Sequence, residues 1–368
     1  MQLKLQKEII KEVKAALVID PIESAELVGL HYVSDTTPGI WRQRVGEEFC
    51  YFDANGKKIC DETELTRIKA LVIPPAWSEV WICPHSQGHL QATGRDAKGR
   101  KQYRYHSHWQ KVRSQTKFTR MIAFGQALPK IRQRVQADLA LGGLPKEKVL
   151  ATVVKLMEIT KIRVGNEEYA QTNKSFGLTT MRDRHVDISG SKLRFKFRGK
   201  SGVEHDIDVS DRRLAKIVKS CQDIPGQELF QYLDDDGHRQ AIGSGDVNDY
   251  LREITGLDFT AKDFRTWFGT VLAAQELYDL GQFTSQTAAK KNITQAIKNV
   301  AQELGNRPAT CRKYYVHPAV LEAYTDGSLL ATLEKELENK QNVSKLELRP
   351  EERVVCKILE HYLLQVNK

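Results

Sequence analysis

His185 to Val209, HVDISGSKLRFKFRGKSGVEHDIDV, alternates apolar and polar residues with a period of two and is broken by the turn sequences SGS at 189–191 and GKSG at 199–202. A period of two places successive side chains on opposite faces of an extended strand, and short Gly- and Ser-bearing turns join such strands into hairpins. The segment therefore reads as a small antiparallel sheet. The sequence around it has the longer period of helices. It is preceded by VRSQTKFTRMIAFGQALPKIRQRVQADLAL and PKEKVLATVVKLMEITKI, and followed by DRRLAKIVKSCQD, SGDVNDYLREITG, AKDFRTWFGTVLAAQELYDL, a run from Ser285 to Leu304, and EERVVCKILEHYLLQ. A small sheet embedded in a mainly helical domain follows.

Nearer the N-terminus the texture reverses. GIWRQRV and EEFCYF alternate, ANG makes a turn, and WSEVWICP alternates again. One helix interrupts them, starting at Asp61 with Glu64 in the capping-box position. At 368 residues two domains are expected. The fold class read from these patterns is α+β: an N-terminal helical extension over 1–26, a strand-rich domain over 27–112, and a mainly helical domain over 113–368. The first twenty residues, MQLKLQKEIIKEVKAALVID, are charged throughout and read as an amphipathic helix, not as a signal peptide or membrane span. A cytoplasmic location is expected. The six cysteines, Cys50, Cys60, Cys83, Cys221, Cys311 and Cys356, show no C-x-x-C spacing, which argues for free thiols and against a zinc site.

With 56 Lys and Arg against 47 Asp and Glu, the formal net charge of +9 favours an acidic polymer as partner. The densest basic stretch lies between Arg95 and Tyr105, where Arg95, Lys98, Arg100, Lys101 and Arg104 interleave with Gln102, Tyr103 and Tyr105 around a turn. Such a tip either meets phosphates or stands as a solvated turn; aromatic interleaving favours nucleic acid. Arg163 precedes Gly165, where the chain can bend before Asn166, Glu167, Glu168 and Tyr169 open a helix. Its fork can face a phosphate or pair with Glu167 or Glu168, and the face bearing Tyr169 can enter a groove. Lys200 sits on the GKSG turn, free to swing toward a docked partner or simply to be solvated. Arg265 lies among Phe264, Trp267 and Phe268 and needs an anion, whether Asp263, another carboxylate or a ligand phosphate. Finally, CRKYYVHPAV puts Tyr314 and Tyr315 near the end of a short helix between Pro308 and Pro318. About 100° apart, one can face a core and the other a site, and the spacing does not say which.

These blocks together resemble the short type IB DNA topoisomerases of bacteria and poxviruses, most closely the bacterial branch. The resemblance runs from roughly Leu27 to Leu321 through GRDAKGRKQYRYH, IRVGNEEYA with SFGLTTMRDRHV, FRGKSG, KDFRTWFGT, and LGN-x-PA-x-CRK-x-Y-x-HP. It implies a catalytic domain of the kind shared with tyrosine recombinases, clamping duplex DNA as a monomer associated with the nucleoid, with no metal and no cofactor. The family's active tyrosine stands just before a hydrophobic residue and His/Asp-Pro, which selects Tyr315. By the same transfer Arg163 and Arg265 hold the phosphate, Lys200 is the general acid, and Asn306 stands where many relatives carry His. The basic hairpin, Asn166 and Tyr169 are implied to touch DNA. Asn166 replaces a basic groove-reading residue of the poxvirus members, so their sequence preference is not transferred. Two alternatives compete. A site-specific tyrosine recombinase usually carries H-x-x-R before its tyrosine, whereas Arg265 lies in DFRTW. A non-catalytic DNA clamp would not need the whole set of active residues.

Overall fold

The computed structural model describes residues 21–26, 29–46, 48–97, 101–257, 259–338, 344 and 346–366. The expected N-terminal amphipathic helix at 1–20 lies outside them. The chain divides between Thr119 and Arg120 into two units, a division that falls inside the long helix Ser107–Leu139.

In the first unit the alternating stretches form β1 (Ile40–Val45), β2 (Glu48–Phe52), β3 (Ser78–Ile82), β4 (Leu90–Arg95) and β5 (Lys101–Tyr105). They make one antiparallel sheet in the order β2-β1-β3-β4-β5. One face is closed by the helix Glu62–Ala70, whose Ile68 packs with Ile40, Val80, Ile82 and Ala92. Asp61 caps this helix by accepting the Thr63 N–H. Glu64 does not complete a capping box but pairs with Arg67. The reason is charge: Arg67 also donates to the Cys83 carbonyl and Gln91, so its half-buried guanidinium takes the nearest carboxylate.

In the second unit β6 (Val186–Ser189), β7 (Lys192–Arg198) and β8 (Glu204–Ser210) form the small antiparallel sheet that period two predicts. Leu193, Phe195 and Phe197 are buried while the intervening Lys and Arg residues face solvent. A second hairpin, β9 (Gln231–Leu233) with β10 (Arg239–Ala241), was not apparent in the sequence, because three residues per strand are too few to show a period. Helices make up most of the remainder. Phe124, Phe259, Phe264 and Trp267 form an aromatic core with ring centroids 4.9–6.3 Å from Phe124. The C-terminal helix Pro350–Val366 is tied in by a buried network in which Arg132 bonds both Glu158 and Glu352. All six cysteines are free thiols. No helix among the described residues is long and apolar enough to cross a membrane.

Candidate active site

Arg163 lies in the extended segment that follows the helix Lys146–Thr160, which ends with Lys161 in a left-handed conformation (φ 55°). The segment is clasped by the SFGLTT stretch. Leu178 N–H donates to the Arg163 carbonyl (2.9 Å), and both the N–H and the hydroxyl of Thr179 donate to the Val164 carbonyl. Gly177 is required here, because a Cβ at that position would stand 2.6 Å from the Arg163 oxygen. Asn166 then caps the short helix Glu167–Asn173 through the Tyr169 N–H. Held this way, the half-buried Arg163 guanidinium turns not to Glu167 but to the loop after the helix Gln286–Glu303. It donates to Asn306 Oδ1 at 2.6 Å and to the Gly305 carbonyl at 3.3 Å. Because that amide oxygen is engaged by Arg163, the Asn306 amide nitrogen remains a buried donor with no partner among the described residues.

Arg265 comes from the helix Ala261–Leu280 and is 8% exposed. Asp263 is not its counter-ion, being paired instead with Arg120. Arg265 donates to the carbonyls of Lys161 and Leu304, both at 2.6 Å, and its buried Nε has no partner. Burial, followed by the neighbouring Arg163 cation, pushes Arg265 down to about 10. Burial also lowers Arg163, against the opposing effect of Tyr315. A buried cation without a counter-ion costs several kcal/mol, and here buried Arg265 also has half-buried Arg163 close enough to repel it.

Tyr315 completes the cluster, its ring centroid 5.3 Å from the Arg265 guanidinium carbon. It caps the end of the helix Pro308–Tyr314, and its carbonyl accepts from the Thr270 hydroxyl (3.2 Å), which in turn accepts from the His317 N–H. His317 caps the helix Pro318–Thr325 through the Ala319 N–H and packs edge-on against Tyr362. The His-Pro break thus fixes where the tyrosine backbone leaves the helix. Tyr314, by contrast, is 50% exposed, with the Lys313 ammonium 5.2 Å from its ring.

Gly269 is a positioning residue that sequence reasoning missed. It lies one helical turn after Arg265, on the same face, and a Cβ there would stand 2.6 Å from the Tyr315 backbone carbonyl oxygen and 3.0 Å from its Cβ. An isolated glycine inside an apolar helix was the available signal. Gly269→Ala should leave the fold intact but push the Tyr315 backbone aside, slowing any reaction that the Tyr315 hydroxyl performs by on the order of 10²-fold. Single-turnover kinetics alongside thermal melting would check this, and an unchanged rate would show that the close approach has no bearing on function.

Lys200 stands exposed on a tight turn between β7 and β8, one residue after Gly199, and makes no ion pair with a described residue. The turn is held by Ser201 and Gly202, both at positive φ (64° and 78°). The structure thus gathers Arg163, Arg265, Asn306 and Tyr315, and leaves Lys200 exposed on its own hairpin, outside that set of contacts.

Of the basic hairpin in the first unit, Lys98 and Arg100 lie outside the described residues and Lys101 opens β5. Arg95 pairs with Glu79, Gln102 bonds Asp96, and Arg104 donates to the Val72 carbonyl. The Tyr103 and Tyr105 rings stack with centroids 5.9 Å apart, with Tyr103 exposed and Tyr105 packed against Trp109, Ala25 and Leu30. Asn166 and Tyr169 are exposed in the second unit. Among the described residues, Asp234, Asp236 and His238 bring three potential metal ligands within 4.8 Å. Asp234 Oδ1, however, already accepts the N–H groups of Asp236 and His238, the pattern of an Asx turn.

Two guanidiniums and a primary amide, with unsatisfied donors and neither guanidinium ion-paired to a carboxylate among the described residues, form a receptor for an oxyanion beside a phenol. Comparison with known proteins agrees with this chemistry. Residues 106–343 match the family described as eukaryotic DNA topoisomerase I, catalytic core, and residues 48–96 match the bacterial DNA topoisomerase IB, N-terminal domain. DNA topoisomerase 1B of Acanthamoeba polyphaga mimivirus is 33% identical over 298 residues, covering 78% of this chain and 88% of that protein. DNA topoisomerase 1B of Vaccinia virus (strain Copenhagen) is 23% identical over 244 residues, covering 66% of this chain and 74% of its own. DNA topoisomerase 1 of Rabbit fibroma virus (strain Kasza) is 24% identical over 286 residues, covering 74% of this chain and 86% of that protein. With a family match across well over half its length and a relative aligned over most of both chains, this chain belongs to the type IB DNA topoisomerase family.

Proposed function

We propose that the chain relaxes supercoiled duplex DNA by cutting one strand, holding its 3′ end on Tyr315, and rejoining it. The observation that carries this reading is the pair of guanidiniums beside Tyr315, Arg265 buried and Arg163 half-buried, neither ion-paired to a carboxylate among the described residues, with the Asn306 amide nitrogen unsatisfied next to them. A phosphodiester supplies what these donors lack, namely two non-bridging oxygens that gain negative charge as the phosphorus becomes pentacoordinate.

In the reaction the Tyr315 oxygen, giving up its proton to solvent water, forms a bond to phosphorus while the bond from phosphorus to the 5′ oxygen breaks. That oxygen leaves with a proton from the Lys200 ammonium, giving a 5′-hydroxyl and a 3′-phosphotyrosyl link. One phosphoester replaces another, so the bond energy is retained and the reverse attack by the 5′-hydroxyl needs no ATP. Between the two steps the cut strand turns about the intact one and torsion is released. Arg163 and Arg265 suit the oxyanion role because their forks are fixed by backbone carbonyls and Asn306. Lys200 suits proton delivery because its hairpin leaves the ammonium exposed.

DNA is contacted, in this reading, by Arg95, Lys98, Arg100, Lys101, Gln102, Tyr103 and Tyr105 from the strand-rich domain and by Asn166 and Tyr169 from the helical one. The protein acts as a cytoplasmic, nucleoid-associated monomer. The match of residues 48–96 to the bacterial N-terminal domain supports a place in the bacterial branch. A catalytic domain of the tyrosine recombinase type is supported by its mainly helical build with an embedded sheet.

The test is relaxation of positively and negatively supercoiled plasmid in EDTA without nucleotide. Relaxation of both signs without a specific site is the expected result. An absolute requirement for ATP or a divalent ion would overturn it.

A further inference from the structure

One half-buried titratable side chain beside the site has no part in the chemistry above. His205, the second residue of β8, pairs with Phe197 across the hairpin and stacks on its ring, with centroids 4.8 Å apart and planes 15° from parallel. Its imidazole occupies the space that a side chain would take on two distant glycines. A Cβ on Gly199 would stand 2.6 Å from His205 Nε2, and one on Gly305 would stand 2.7 Å from its Cε1. Gly199 immediately precedes Lys200, and Gly305 immediately precedes Asn306. A single aromatic plate is thus wedged between the base of the lysine hairpin and the loop that carries Asn306 and receives Arg163.

We propose that His205 is a positioning residue that fixes the Lys200 hairpin against the Arg163–Asn306 shelf, so that the proton donor stands in register with the phosphate site. The inference rests on the reading of Lys200 as proton donor. It adds a residue whose work is geometric: packing contacts of this kind hold one arrangement because the interior does not deform continuously. The ring suits the task in charge as well. Burial, then Arg163 and Arg265, lower its pKa against the smaller pull of Glu204, which keeps a third cation out of the cluster. The Phe197 stack and the absence of any side chain on either glycine leave the ring one place to lie.

The test measures single-turnover cleavage of a labelled duplex with either an ordinary 5′ oxygen or a bridging 5′ sulfur at the scissile phosphate. The sulfur leaves as a thiolate and needs no proton. His205→Ala should slow the oxygen substrate by on the order of 10²-fold, as expected for a donor out of register. The sulfur substrate should recover most of that loss, as it should for Lys200→Ala. His205→Phe, which keeps an aromatic plate, should retain most of the parent rate. Gly199→Ala, which pushes on the ring from the hairpin side, should copy the His205→Ala pattern. Should His205→Ala lose DNA binding, Gly199→Ala decides by the same criterion. Parent-like cleavage by both His205→Ala and Gly199→Ala would overturn the proposal. So would a defect that sulfur does not relieve while Lys200→Ala is relieved, since His205 would then act on the oxyanion shelf. If sulfur fails to relieve Lys200→Ala itself, the proton-donor reading falls and this inference falls with it.

Discussion

Replacing Tyr315 by Phe is expected to remove the covalent DNA adduct and relaxation altogether while leaving non-covalent DNA binding in place. The substitution deletes only the oxygen that attacks phosphorus, and no second nucleophile is held in its place. Tyr315 has its backbone fixed by Thr270 and Cys311 and its ring beside Arg265. Tyr314 is half exposed and next to Lys313, so Tyr314→Phe should leave cleavage largely intact. Both variants keep an aromatic ring, so loss of packing is not expected to confuse the comparison. Strand cleavage followed by denaturing electrophoresis would measure it. An adduct that persists in Tyr315→Phe, or disappears in Tyr314→Phe, would show that the wrong neighbour has been assigned.

Lys200→Ala should carry the second largest effect, a loss of about 10²–10⁴-fold in cleavage rate, the usual contribution of a positioned general acid. A 5′-alkoxide is a very poor leaving group and needs a proton in the transition state. A bridging sulfur, with a thiol pKa of about 8.5, leaves readily without one, so that substrate should largely rescue the variant. Arg163→Ala and Arg265→Ala should not be rescued to the same extent, because their proposed task concerns the non-bridging oxygens. A Lys200 variant equally slow on both substrates would make the lysine a phosphate contact or a solvated hairpin residue.

The parts of this fold that were legible in the sequence are those with a long, regular period. LRFKF and HDIDV showed β7 and β8 because one face is buried and the other wet; Pro308 marked the start of the short tyrosine helix and Pro318 its end, although Pro318 also opens the next helix, which the sequence reading did not foresee. The site was legible as residue types but not as partnerships. Nothing in KDFRTWFG says that Asp263 turns to Arg120, leaving Arg265 to hold the carbonyls of Lys161 and Leu304. Those partners lie far apart along the chain, and local spacing carries no information about them. The same is true of the three glycines whose missing side chains make room for others: Gly177 for the Arg163 carbonyl, Gly269 for Tyr315 and Gly305 for His205. Gly177 and Gly305 look locally like flexible links and Gly269 like a small residue in an apolar helix, and only the folded chain shows what fills the space. In the basic hairpin, composition suggested a tip free to meet phosphates. Arg95 and Gln102 instead have acidic partners on the same sheet or turn, and any DNA contact they make competes with those.

The central claim, that Tyr315 becomes the covalent anchor of a cut DNA strand, is tested most directly by trapping and mapping the adduct. The protein would be incubated with supercoiled plasmid in EDTA, denatured abruptly with SDS, and digested with nuclease and trypsin before fragmentation mass spectrometry. The expected result is a nucleotide joined through its 3′ phosphate to Tyr315, with a free 5′-hydroxyl on the opposing DNA end. A nucleotide on Tyr314, a 5′-phosphate linkage, or relaxation without any adduct would contradict it.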